Sequence, residues 1–257
     1  MELFVILIIV MWLVMTAWFL LALFLRNNSI VDIAWGLGFV VVAAVSYVFV
    51  PDSGWRGFAL LVMATLWGLR LASYIFIRNW GRGEDFRYQA MRERWGNAVI
   101  WKSYVYVFLL QGFLLLVVSL PVSLGIMFSQ GVDAPVGLLE VAGIVIWLFG
   151  LVYETVADYQ MLAFKSDPMN KGRIMRYGLW KLSRHPNYFG EMVLWWGVWL
   201  FAVSASPQGI MAIIGPLTIN YMLLRVSGVP MLEAKYKDNP EYMAYISTTP
   251  SVLPRLR

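Results

Sequence analysis

The chain has 257 residues, 60% of them hydrophobic and only 14% charged, and a net charge of +5. Soluble domains carry about a quarter charged residues, so this balance places the chain in lipid and leaves no stretch for a separate soluble domain. There is no cysteine and one histidine, which excludes disulfides, thiolate metal sites and a histidine-rich metal centre.

Residues 3–25 are almost purely apolar and long enough to cross a hydrocarbon core of about 30 Å. No small-residue cleavage site follows, so the run reads as a retained helix and not a signal peptide. After a short turn at Arg26, a second span covers 30–50 and opens with Asp32, Trp35, Gly36 and Gly38. Pro51 to Gly54 is a loop by its turn residues, and a third span covers 57–78 with Arg70 and Tyr74 inside. Residues 79–102 are polar and charge-dense, with Arg82, Arg87, Arg92 and Arg94. Tyr88, Met91 and Trp95 recur there at helical spacing, the pattern of an amphipathic helix on the membrane surface.

The fourth span is expected at 103–127, kinked at Pro121. A fifth, 137–165, is longer than a bilayer needs, and its apolar helix carries Glu154, Asp158 and Lys165 on one side by the 3.6-residue repeat. The loop to residue 186 holds Lys171, Arg173, Arg176, Lys181 and Arg184 and ends at His185. Pro186 is expected to open the sixth span, 187–204, because proline suits the first helical position. Asn187, Tyr188 and Glu191 then lie in its first turns, where free backbone N–H groups attract anions. A seventh span covers 210–226, with Arg225 at its end, and the tail 227–257 is polar with Tyr236, Tyr242 and Tyr245.

The fold class is therefore an all-α integral membrane bundle of seven transmembrane helices, one membrane domain over 1–257. Nearly every Lys and Arg lies in or beside the loops 26–29, 79–102 and 165–186 and the tail. Arg56 alone lies in an opposite loop, so the positive-inside rule puts the N-terminus outside and the C-terminus in the cytosol. The basic charge thus follows topology and points to no nucleic acid. Glycines 36, 38, 143 and 150 read as close helix contacts.

Asp32, Arg70, Glu154, Asp158, Glu191 and Arg225 all fall in the cytosolic part of their spans. Charges are costly in lipid, so such a set marks either structural ion pairs or a polar cavity that takes a charged soluble cofactor. No Gly-x-Gly-x-x-Gly or Walker loop is present, so helices must hold any nucleotide.

Three motifs carry a resemblance. The stretch Asp158-Tyr-Gln-Met-Leu-Ala-Phe-Lys165, then Gly178-Leu-Trp, then Ser183-Arg-His-Pro-Asn-Tyr-Phe-Gly-Glu191 resembles the steroid 5-alpha reductase superfamily. Asp32-Ile-Ala-Trp-Gly36 and Gly83-Glu-Asp-Phe-Arg-Tyr88 look like its bacterial branch of short membrane proteins. The resemblance covers nearly the whole chain and is strongest from 150 to 192. It implies seven helices around NADPH and hydride reduction of a carbon–carbon double bond in a lipid. It also implies a multi-pass protein, of the bacterial inner membrane if the branch holds, whose partners are membrane lipid and a hydrophobic small-molecule substrate.

By the resemblance, Asp158, Lys165 and Asn187 match cofactor-contacting Asp, Arg and Asn positions, and Glu154 stands where steroid reductases carry Asn. Arg70, Tyr74 and Arg225 match further dinucleotide contacts, and Arg82 and Arg173 match more loosely. Arg176, Arg184, His185, Tyr188 and Glu191 complete the expected coenzyme site; no metal is implied. The glutamate–tyrosine pair that polarises the enone in steroid reductases is missing. Trp67 stands at the tyrosine position and Asp32 is the acid left there, so Asp32 is the expected catalytic residue. Two other readings remain. One is an S-adenosylmethionine-dependent membrane methyltransferase, similar around Arg184-His-Pro-x-Tyr-x-Gly190 with Glu233, Tyr242 and Tyr245 in the tail. The other is a lipid-binding or scaffold protein.

Overall fold

A computed structural model describes residues 2–255, and helices dominate it, with no strand among those residues. Among the described residues, seven helical stretches are long and apolar enough to cross a membrane: Glu2–Leu25, Asn28–Phe49, Gly54–Asn79, Phe86–Val118, Leu138–Ser166, Pro186–Ala205 and Pro207–Lys235. Contacts divide the chain into two compact units, Met1–Pro135 with Ala202–Ile214, and Val136–Phe201 with Gly215–Arg257.

In the first unit, α1 (Glu2–Leu25) buries Leu3, Leu7, Met11, Met15, Phe19 and Ala22, one stripe at helical spacing. Ile8, Trp12, Leu13, Leu20 and Phe24 are exposed, as lipid-facing side chains must be. The next two helices, α2 (Val31–Phe49) and α3 (Gly54–Asn79), pack backbone to backbone. A Cβ on Gly36 would stand 2.7 Å from the Gly68 carbonyl oxygen, so only glycine allows that approach. Arg56, expected in a loop, lies in the first turn of α3 and is buried. Its guanidinium donates to the carbonyls of Val132, Ala134 and Pro135 and lies over the Trp55 ring, which satisfies the charge locally.

The polar segment forms α4 (Phe86–Trp95), with its N-cap at Asp85. Of the expected stripe only Tyr88 is buried; Met91 and Trp95 are half-buried. The chain continues through α5 (Val99–Ser103) and a π-helical turn, Tyr104–Leu109, into α6 (Leu110–Val118). The expected kink at Pro121 is a break at Ser119. Pro121 sits in the first turn of α7 (Leu120–Phe128), where its missing N–H costs no helical hydrogen bond.

In the second unit, α8 (Leu138–Ser166) and α9 (Pro186–Ala205, whose last turn belongs to the first unit) meet along four glycines. A Cβ on Gly143 or Gly150 would strike Phe201 N at 2.7 Å or Leu194 N at 2.5 Å. One on Gly190 or Gly197 would strike Glu154 N at 2.6 Å or Trp147 N at 2.4 Å. The expected seventh span is not one regular helix. It runs as a 3-10 stretch Pro207–Ile213, α10 (Ile214–Tyr221) and a π-helical turn Met222–Val226. Pro207 and Pro216 lack the N–H that an α-helix needs, and Gly209 and Gly215 weaken it further. Past Gly228 come α11 (Val229–Lys235) and α12 (Pro240–Thr248).

Candidate functional site

The α8–α9 glycine contact holds the carboxylates of Glu154 and Asp158 on the buried face of α8, 2% and 3% exposed. Asn187, in the first turn of α9, donates to Asp158 Oδ1 at 3.2 Å. Glu191 is buried one turn further along α9. The loop that joins the two helices is laid against α8. Leu179 N donates to Gln160 Oε1 at 2.9 Å and Trp180 Nε1 donates to the Ala157 carbonyl at 3.0 Å. Gly178 has φ +57, and its close approach to Gln160 leaves no room for a side chain.

The tail closes over this turn. Arg184 N and His185 N donate to the carbonyls of Pro250 and Ser251 at 2.9 Å each, and Arg255 N donates back to the Leu182 carbonyl at 3.0 Å. The Tyr245 hydroxyl donates to the Trp180 carbonyl. The helix starts at Pro186, as the sequence suggests, and the two backbone donors just before it are engaged by the tail. Burial, together with the Glu233 carboxylate and partly offset by Arg184, pushes the Tyr242 phenol up to about 12; burial also raises Tyr245.

Arg184 differs from its expected part in an anion site. Its guanidinium, 9% exposed, binds Glu233 Oε1 at 2.8 Å and donates to the carbonyls of Ile246 and Thr249. His185 Nε2 lies 3.1 Å from the same Glu233 oxygen, and its ring stacks on Tyr188 with centroids 5.3 Å apart. Arg176 is exposed and pairs with Glu241 at 2.9 Å. Lys165, Arg173 and Arg225 are exposed, Arg225 on the π-helical turn.

The remaining candidates belong to the first unit. Arg70 lies over the Tyr74 ring, 5.8 Å from its centroid, with both residues half-buried; Arg82 is exposed. Asp32 is fully engaged: Oδ2 accepts from Arg87 at 2.7 Å and Oδ1 from the Tyr88 hydroxyl at 2.7 Å. A carboxylate paired with a guanidinium is an acceptor, so this geometry does not present Asp32 as a proton donor. Gln111, just past the π-helical turn, donates to Tyr88. Trp67 is buried against Phe39 at 5.0 Å between centroids.

The two short motifs, 32–36 and 83–88, which nothing local in the sequence links, pair in the structure. Besides Arg87 and Tyr88 on Asp32, Asn28 N donates to Glu84 at 2.7 Å and Asp85 N donates to Ser29 Oγ at 2.6 Å. The signal lay in the polar motif of 83–88 beside an in-span aspartate. Glu233, which the coenzyme-site reading did not include, is the other such residue.

Fold and site together define a multi-pass helical membrane protein with buried polar groups at the end of one helix pair. The chain belongs to the family described as "Protein of unknown function (DUF1295)", whose model matches residues 18–249. It is 28% identical over 174 residues to an uncharacterised protein of Schizosaccharomyces pombe, covering 57% of this chain and 49% of that one. It is 48% identical over 46 residues to a probable O-methyltransferase of Ustilaginoidea virens, covering 18% of this chain and 16% of that one. The chain thus spans half or less of the curated relatives it matches. No solved structure matches.

Proposed function

We propose that this chain is an integral membrane reductase. It uses NADPH to reduce a carbon–carbon double bond in a hydrophobic, lipid or steroid-like substrate that enters from the bilayer. The observation that carries the reading is the Asp158–Asn187 contact, made where α8 and α9 meet, beside buried Glu154 and Glu191. A helix pair that keeps acid and amide side chains at its end, next to a basic loop, has the donor set a dinucleotide needs. Carboxylate and amide take ribose and nicotinamide hydrogen bonds, and Lys171, Arg173 and Lys181, all exposed, face phosphates. Bound there, NADPH would supply hydride, and the chain would orient it and exclude water. The reading places the family within the steroid 5-alpha reductase superfamily, with the N-terminus outside and the tail in the cytosol, in the inner membrane of a bacterium. By the resemblance, Arg225 of the same unit also contacts the dinucleotide.

One observation favours a second reading, transfer of a methyl group from S-adenosylmethionine to a membrane-borne acceptor. The 46-residue likeness is to a probable O-methyltransferase. Thermal unfolding of the purified protein with NADPH, NADH and S-adenosylmethionine separates the two, since a specific ligand stabilises by RT ln(1 + [L]/Kd). NADPH raises the unfolding temperature in the first case. Stabilisation by the methyl donor alone establishes the second.

A further inference from the structure

Reduction of a double bond needs a proton as well as hydride, and Asp32, with both oxygens accepting, is not placed to give one. We propose that His185, oriented by Glu233, is the proton-transfer residue of the site in the second unit. This rests on the reading of that unit as a coenzyme site.

His185 is the chain's only histidine, and imidazole is the side chain whose ordinary pKa, about 6.5, lets it hold and release a proton near neutrality. Its Nε2 lies 3.1 Å from Glu233 Oε1, with the side chain 4% exposed. A carboxylate on one ring nitrogen fixes a proton there and leaves the other, Nδ1, to exchange a proton with a substrate, as in carboxylate–histidine pairs generally. The ring is held from further sides. It lies parallel to Tyr188, 7° between planes, and its backbone N donates to the Ser251 carbonyl and to Ser183 Oγ. Asn187, two residues on, bonds Asp158, so the imidazole is part of the same helix start as the proposed coenzyme contacts.

The charged and titratable groups around the ring are Arg184 of its own turn, Glu233 of α11, Tyr188 of α9 and, against Glu233 and Arg184, Tyr242 of α12. Because Glu233 is shared with Arg184, it keeps a cationic partner whichever protonation state the ring adopts. His185 can therefore lose its proton without leaving a carboxylate unpaired.

In the reduction, hydride forms a C–H bond at one alkene carbon. The His185 Nδ1–H bond breaks as the substrate's π pair forms a C–H bond at the neighbouring carbon. The ring ends neutral, keeping its Nε2–H, which donates to Glu233, and takes its next proton at Nδ1 from water.

With one histidine in the chain, ¹⁵N-histidine labelling of the full-length protein in detergent gives one imidazole to follow. Spectra are read with NADPH and with S-adenosylmethionine, for the wild type and Glu233→Gln. The expected result has two parts. The neutral ring carries its proton on Nε2, a preference weakened in Glu233→Gln. The ring signals shift when the coenzyme that stabilises the protein is added. Should Glu233→Gln fail to fold, Glu233→Asp is read for the same loss of preference. A neutral ring protonated on Nδ1, or a ring unmoved by a coenzyme that does bind, overturns the proposal and leaves the coenzyme site standing. Binding of neither coenzyme removes the site and the proposal together.

Discussion

Glu233 and His185 stand 48 residues apart in the chain and meet at 3.1 Å, and the same carboxylate oxygen takes the Arg184 guanidinium at 2.8 Å. One acidic residue of α11 thus ties the turn before α9 to the tail. Arg184 completes the tie through the carbonyls of Ile246 and Thr249.

Arg184→Ala removes three attachments of the tail at once. A charged hydrogen bond lost from a buried position costs about 1–3 kcal/mol. The expected outcome is a loss of that order in chemical unfolding, with faster protease cleavage in 236–250. A tail as resistant as the wild type's shows that the backbone bonds to Pro250 and Ser251 suffice.

Alkaline pH should loosen the same region. The Tyr242 phenol is held up to about 12 in the folded protein, against about 10 when released. Its contribution is complete below about pH 10 and is lost as pH rises through about 12, because the released tail ionises first. Tyrosinate absorbance beside tail proteolysis reads this. Tail tyrosines that all ionise near 10 in the intact protein contradict it.

The glycine contact between α8 and α9 is steric. Gly197→Ala puts a methyl group 2.4 Å from Trp147 N, and backbone on that side cannot yield, so a destabilisation of about 1–3 kcal/mol is expected. Gly83→Ala meets nothing within 4 Å and serves as the control, expected within about 0.5 kcal/mol of wild type. Equal stability of the two variants counts against the packing described.

Asp32→Asn weakens acceptance from Arg87 and Tyr88 together. Hydrogen exchange should then rise in 83–95 and not along α2, because the interaction pins that polar segment. Exchange unchanged in 83–95 means that Glu84 and Asp85, through Asn28 and Ser29, hold it alone.

The seven apolar stretches were legible because hydropathy and length are local properties, and so were the glycine contacts and the helix start at Pro186. What was not legible depends on partners far along the chain. Asp32 read as a lone acid in a span until Arg87 and Tyr88, 55 and 56 residues on, were seen to cover both its oxygens. Arg184 read as one more basic loop residue, since nothing local shows that Glu233 and two tail carbonyls surround it. The seventh span read as one helix because its apolar character hides the backbone change that Pro207 and Pro216 impose.

Calorimetric titration of the purified protein with NADPH, wild type beside Asp158→Ala and Asn187→Ala, tests the coenzyme site most directly. Saturable binding by the wild type is expected, weakened in each variant by about tenfold, the equivalent of about 1.4 kcal/mol for a lost polar contact. No binding by the wild type, or equal affinity in all three while each remains folded, contradicts the account.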